Sequence, residues 1–159
     1  MARLMGQIII VAVGKLHGAY WRAAQQEYLA RLRRYTDVRL IVVKDVVGRG
    51  IPDSVAMQRE GVTLLAAAKD ARRVIALSAT GKQMDSPGLA DFLRKQIEIY
   101  GSLAFLIGGP VGLAPEVLKS CDDTLSLSSL TFPHELARVI LLEQLYRAAT
   151  IINGEKYHK

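Results

Sequence analysis

The chain has 159 residues, half of them apolar and 23% charged, enough for one packed core and too apolar for a disordered segment. A single cysteine, Cys121, excludes an internal disulfide framework and a cysteine-rich zinc site. Twenty-one Lys and Arg against fifteen Asp and Glu leave a charge of +6, which favours a polyanionic partner without naming one.

Strand and helix patterns alternate along the chain. Gln7–Val13 (QIIIVAV) is a continuous β-branched run, the mark of a strand buried on both faces. Trp21, Ala24, Tyr28, Leu32 and Tyr35 then recur at helical spacing, with Arg22, Arg31, Arg33 and Arg34 forming a basic rim. Val38–Val43 reads as a second strand, and the glycine-punctuated stretch Lys44–Asp53 carries Arg49 between two glycines. Val55, Val62, Leu65 and Ala66 mark a helix running to about Asp70. Arg73–Ala79 is a third strand ending in the turn Thr80-Gly81-Lys82.

Ser86 as cap with Pro87 at the first helical position opens the next helix, whose stripe is Leu89, Leu93, Ile97 and Tyr100. Leu103–Ile107 is a fourth strand, followed by a short helix from Pro115, a fifth strand around Thr124–Leu127, and a final helix over Leu136–Ile152. The alternation predicts an α/β fold, a parallel-type sheet with helices on both faces, in one domain. Ligands of such sheets sit beyond the carboxyl ends of the strands, here the loops after Ala79, Ile107 and Leu127. No apolar run approaches the roughly 20 residues of a bilayer span, and Ile8–Val13 is too short for a signal-peptide core, so a cytoplasmic location is expected. The last helix is apolar over most of its circumference, which fits either a twofold homodimer or the central helix of one subunit.

Three segments carry candidate chemistry. Gly108–Gly112 places three glycines and a proline after a buried strand, so its backbone can approach a ligand closely or simply turn tightly. It matches neither G-x-G-x-x-G nor a P-loop, which disfavours a dinucleotide or triphosphate. In Leu125–His134 the hydroxyls of Ser126, Ser128, Ser129 and Thr131 alternate with Leu127, Leu130 and Phe132, suited to a purine edge or to a wet strand end. His134 opens the last helix as a possible proton acceptor or a capping group. Arg147 has Glu143 four residues before it, the spacing of a structural ion pair. Arg138 has only Glu135 nearby and is the better candidate to face an anion. The ending Lys156-Tyr157-His158-Lys159 reads equally as a frayed tail or as an RNA contact.

Phe105–Gly112 (FLIGGPVG), Leu125–His134 (LSLSSLTFPH), Arg138–Arg147 (RVILLEQLYR), the opening VAVGK, the Gly81-Lys82 turn and the final Tyr157-His158 together resemble the RlmH family of SPOUT methyltransferases. The resemblance spans essentially residues 1–159. It implies a knotted C-terminal part, a homodimer, and transfer of a methyl group from S-adenosylmethionine to N3 of a pseudouridine in 23S rRNA. The cofactor residues it implies are Leu77, Gly109, Ser128, Ser129, Leu130, Thr131, Phe132 and Pro133. Arg138, Tyr157, His158 and His134 are implied at the reaction, with no metal and no membrane. One position departs: the family's loop reads G-G-P-E-G, and Val111 stands here in place of the acid. The alternative is a noncatalytic module that binds RNA or the ribosome with a degenerate cofactor pocket. With no room for a separate RNA-binding domain, the expected substrate is the assembled ribosome, met through Arg31, Arg33, Arg34 and Arg49.

Overall fold

The structure, a computed structural model, describes Leu4 and residues 6–159. At its centre lies β1 (Gln7–Val13), paired in parallel with β2 (Asp37–Val43) on one side and β4 (Ser102–Ile107) on the other, so that Ile10 faces Leu40 and Phe105. Ile8 through Ala12 are wholly buried. β3 (Arg73–Gln83) and β5 (Asp123–Ser126) complete a parallel sheet of order β2-β1-β4-β3-β5. The two-residue period of β1 feeds two cores. Ile8, Ile10 and Ala12 pack under α1 (Ala19–Leu32), α3 (Ser86–Tyr100) and α5 (His134–Ile152). Ile9, Val11 and Val13 meet α2 (Asp53–Ala67) and α4 (Pro115–Ser120). The continuous apolar run was needed because both faces are covered. Among the described residues no helix is long and apolar enough to cross a membrane.

Three local readings change. Helical spacing extends the first helix to Tyr35, but α1 stops at Leu32; Tyr35 is buried beyond it and donates its hydroxyl to Glu155 Oε2 at 2.6 Å. The cap of α3 is Asp85, whose Oδ1 accepts from Gly88 N at 2.7 Å, while Ser86 Oγ donates to Gln144 Oε1 at 2.7 Å. β3 does not end at Ala79. It bulges and pairs again, Leu77 and Lys82 both facing Leu125. A Cβ on Gly81 would lie 2.7 Å from the backbone of Thr124, so the residue that reads as a turn is there for close strand approach.

The apolar circumference of α5 is absorbed within one chain. The helix packs against α1 and α3 and touches β4, and Leu141, Leu142, Leu145, Ala148 and Ala149 are wholly buried. It is the central helix of the subunit core, with Leu136, Ile140, Ile151 and Ile152 left half-buried.

Candidate functional site

The bulge within β3 and the loops that leave β4 and β5 converge on one cleft of about 190 Å³, walled by Leu77–Ala79, Ile107–Gly109, Gly112, Leu113, Leu127, Ser128, Leu130–Phe132, His134 and Ala137. It lies where ligands collect in parallel α/β sheets, at the strand carboxyl ends. The glycine loop folds as a turn in which Gly112 N donates to Gly109 O at 3.0 Å, with Gly112 at φ +81°. A Cβ on Gly108 would sit 2.7 Å from the Gly112 carbonyl carbon, and one on Gly109 3.1 Å from Val13 Cγ1. Glycine is therefore required at Gly108 by backbone against backbone. Behind Gly109 lies Glu60, 3% exposed: Oε2 accepts from Val46 N at 3.0 Å, and Oε1 has no partner among the described residues. Burial pushes its carboxyl above the usual range, and the neighbouring Asp45 carboxyl adds to the rise.

The β5–α5 loop is shaped by its own hydroxyls. Ser126 Oγ lies 2.9 Å from Ser128 O and 3.1 Å from Ala79 O, tying the loop to β3. Ser128 Oγ accepts from Leu130 N at 3.0 Å. These two hydroxyls hold backbone and leave the ligand to other groups. Among the described residues, the backbone N–H groups of Thr131 and Phe132 enter no hydrogen bond within the chain, so they can serve a purine edge.

No Lys or Arg lines the cleft. The one titratable side chain in its wall, His134, is held below the usual imidazole range, first by burial and also by the Arg138 charge. A phosphate would find no cation there, whereas an adenosyl group finds Leu77, Ile107, Leu130 and Phe132 as apolar walls. The cleft is smaller than the roughly 300–1,000 Å³ of most ligand sites. It adjoins a hollow of about 610 Å³ that shares Gly109, Gly112, Thr131, Phe132 and His134 with it, so a bent ligand can pass from one to the other. The residues present thus fit S-adenosylmethionine. Val111 borders the adjoining hollow.

Of the residues assigned to the cofactor from the sequence, Leu77, Gly109, Ser128, Leu130, Thr131 and Phe132 line the cleft, and Pro133 lines the adjoining hollow. Ser129 is exposed and borders neither. Ser78, Ala79, Ile107, Gly108 and Leu113 were not assigned; the strand-end rule covers the first four, but Leu113 carries no local signal.

The residues assigned to the reaction do not meet at one point. His134 is in the cleft wall. Arg138 is 1% exposed and lines neither space; its Nη2 donates to Gly14 O at 2.8 Å and Val13 O at 3.2 Å, so it holds the end of β1 and does not face an anion. Its burial lowers its pKa. The tail is not frayed. Tyr157 donates to Glu143 Oε1, the Arg147 guanidinium lies 4.7 Å from the Tyr157 ring centroid, and Arg147 Nη1 is 3.3 Å from His158 Nδ1. Burial, then the Glu143 contact, pushes the Tyr157 hydroxyl up to about 12. Arg147 and Glu143 form the expected ion pair, 2.6 Å apart.

Residues 6–158 match the family described as "Predicted SPOUT methyltransferase". The chain is 40% identical over 158 residues to "Ribosomal RNA large subunit methyltransferase H" of Alkaliphilus oremlandii, covering 96% of this chain and 99% of that protein. The proteins of the same name from Halothermothrix orenii (42%, covering 96% and 99%) and Rubrobacter xylanophilus (44%, covering 94% and 96%) are similar to it to the same degree. Among solved structures, a probable methylase family protein from Haemophilus influenzae superposes with TM-score 0.58 at 18% identity, covering 98% of this chain and 71% of that one. A probable methyltransferase from Bordetella pertussis gives 0.58 at 14%, covering 92% and 98%. These two likenesses concern the fold. With the sequence matches running nearly end to end, the chain belongs to the SPOUT methyltransferases and, within them, to the family of ribosomal RNA large subunit methyltransferase H.

Proposed function

We propose that residues 1–159 form one methyltransferase domain that acts in the cytoplasm as a homodimer, methylating N3 of a pseudouridine in 23S rRNA on the assembled ribosome. The observation that carries this reading is the uncharged, glycine-walled cleft at the bulge of β3 and the ends of β4 and β5, which suits an adenosyl group and offers no cation to a nucleotide phosphate. The names of the full-length relatives supply the class of RNA. The C-terminal knot belongs to the same reading, with α5 drawn through the loops around the cleft.

When bound, S-adenosylmethionine supplies an electrophilic methyl group on a sulfonium. Leu77, Leu130 and Phe132 would enclose the adenosyl group, the Thr131 and Phe132 N–H groups would meet its purine edge, and Gly108 and Gly109 would let it approach the backbone closely. His134, kept neutral, retains an acceptor nitrogen at the mouth and supports the loop. Arg138 acts as a positioning residue through Val13 and Gly14. Tyr157 and His158 contact the RNA, and N3 of the base would exchange its proton, released to water, for the methyl group. Most of the rate enhancement is alignment of two reactants.

The test joins two measurements. Calorimetry is expected to detect binding of S-adenosylmethionine. Mass mapping of rRNA is expected to show one methylated pseudouridine when purified large subunits are incubated with protein and cofactor, and little product on a short naked hairpin. Because Val111 borders the hollow beside the cleft, the competing reading is a noncatalytic ribosome-binding module. Absence of binding at millimolar cofactor would overturn the enzyme reading and favour that module.

A further inference from the structure

A second cavity, of about 600 Å³, lies beside the cofactor cleft and shares Leu127 with it. Ala137 of α5 faces the cleft, and Ile140 and Gln144 of the same helix face the cavity. At 1.5 Å per residue these positions lie about 5 and 10 Å further along the helix, on one face. The two chambers therefore adjoin along α5 and share Leu127 in their walls.

The second chamber has the build of a nucleobase site. Leu125, Leu127, Ile140 and Met84 give it apolar walls, and Ser86, Gln144 and His158 bring polar groups into its lining. The Gln144 amide is fixed at both ends. Its Oε1 accepts from Ser86 Oγ at 2.7 Å, and its Nε2 donates to Glu143 Oε2 at 2.8 Å. Each amide atom retains one further bonding position, so Gln144 offers an acceptor and a donor side by side. Asp85 at the rim is engaged with Gly88 N, and Lys82 and Lys159 are exposed in the segments that reach the chamber, placed to meet phosphates.

An adjacent acceptor and donor complement a ring N–H next to a carbonyl. In uridine, N1 carries the sugar, and the only N–H is N3, the atom to be methylated. In pseudouridine the sugar is on carbon, and N1–H beside C2=O is free. We propose that this chamber seats the acceptor base and that Gln144 recognises the N1–H and C2=O edge, which leaves N3 to face the cofactor. The proposal rests on the function proposed above and adds the specificity residue to it.

The experiment compares large ribosomal subunits carrying pseudouridine at the target with subunits carrying uridine there. Wild type, Gln144→Leu and Ser86→Ala are assayed for kcat/KM, with cofactor affinity by calorimetry and melting temperature measured alongside. Gln144→Leu is expected to keep cofactor affinity within about twofold and to lose roughly 100-fold on the pseudouridine substrate with little change on uridine, so that the preference collapses. Ser86→Ala, which only frees the amide, is expected to lose about tenfold in the same direction. An unchanged pseudouridine-to-uridine ratio in both variants would overturn the proposal, and Ser86→Ala alone decides it if Gln144→Leu does not fold. Wild type that binds cofactor but methylates neither substrate would instead overturn the proposed function, and this assignment with it.

Discussion

Tyr157 donates its hydroxyl to Glu143 Oε1 across 3.0 Å, and the same oxygen receives Nη2 of Arg147. The last residues are thereby held against α5, with the Tyr157 ring set edge-on to Tyr146 at 4.7 Å. Ending the chain after Lys156 removes these contacts and is expected to cost about 1 kcal/mol of stability. No tail residue lines the cofactor cleft, so calorimetry should return an unchanged affinity for S-adenosylmethionine while methylation of ribosomal subunits disappears. Full turnover by the truncated chain would remove the tail from the reaction.

Arg138 should act through the fold and not through the chemistry. Replacing it with Met leaves the Val13 and Gly14 carbonyls without their side-chain donor in a buried site, a loss of about 3 kcal/mol or more in chemical denaturation. A variant that melts like wild type but fails only in methyl transfer would return Arg138 to the list of catalytic residues.

Gly108→Ala drives a methyl group into the Gly112 backbone, so the loop must open. Cofactor affinity is expected to fall at least tenfold in calorimetry, because the displaced backbone forms one wall of the cleft. The sheet is complete without that loop, so the circular dichroism spectrum should stay unchanged.

Glu60 gives the fold a pH dependence of known sign. Its folded pKa lies above the ordinary glutamate value, so protonated Glu60 is favoured in the fold. Whatever stability it lends is complete below the unfolded pKa and is lost as pH rises through the raised folded value. Glu60→Gln should therefore equal wild type in acid, where the two side chains are alike, and gain on it progressively toward neutral and alkaline pH in thermal melts. A gap that widens on acidification would contradict this assignment.

Much of the fold was legible because it rests on period. The run Ile8–Val13 had to be apolar at every position once both faces of β1 were covered, and the leucines of α3 mark the face that meets the sheet. The continuation of β3 was hidden because a bulge puts four residues between Leu77 and Lys82, and glycine inside that bulge looks like a turn. Of the candidate site, the glycine loop and the β5–α5 loop were readable as composition, since close backbone approach limits which residues fit. The work of Arg138 was not, since its acceptors belong to residues 124 and 125 positions away and are carbonyls, which any residue could provide. The second chamber was equally hidden. It is assembled from β5, α5, the tail and the segment that leads from β3 into α3, and Gln144 has no neighbour in sequence that marks it.

The contact between Arg138 and Gly14 also bears on how the protein is made. β1 is synthesised well before its partners: its second neighbour begins at Ser102, and the guanidinium that caps its end arrives with residue 138. A nascent chain that stopped before α5 would carry β1 with both strand neighbours but with the Val13 and Gly14 carbonyls lacking their guanidinium donor. The innermost strand is therefore completed only by an element made more than a hundred residues later, and the native state is out of reach until α5 has been synthesised.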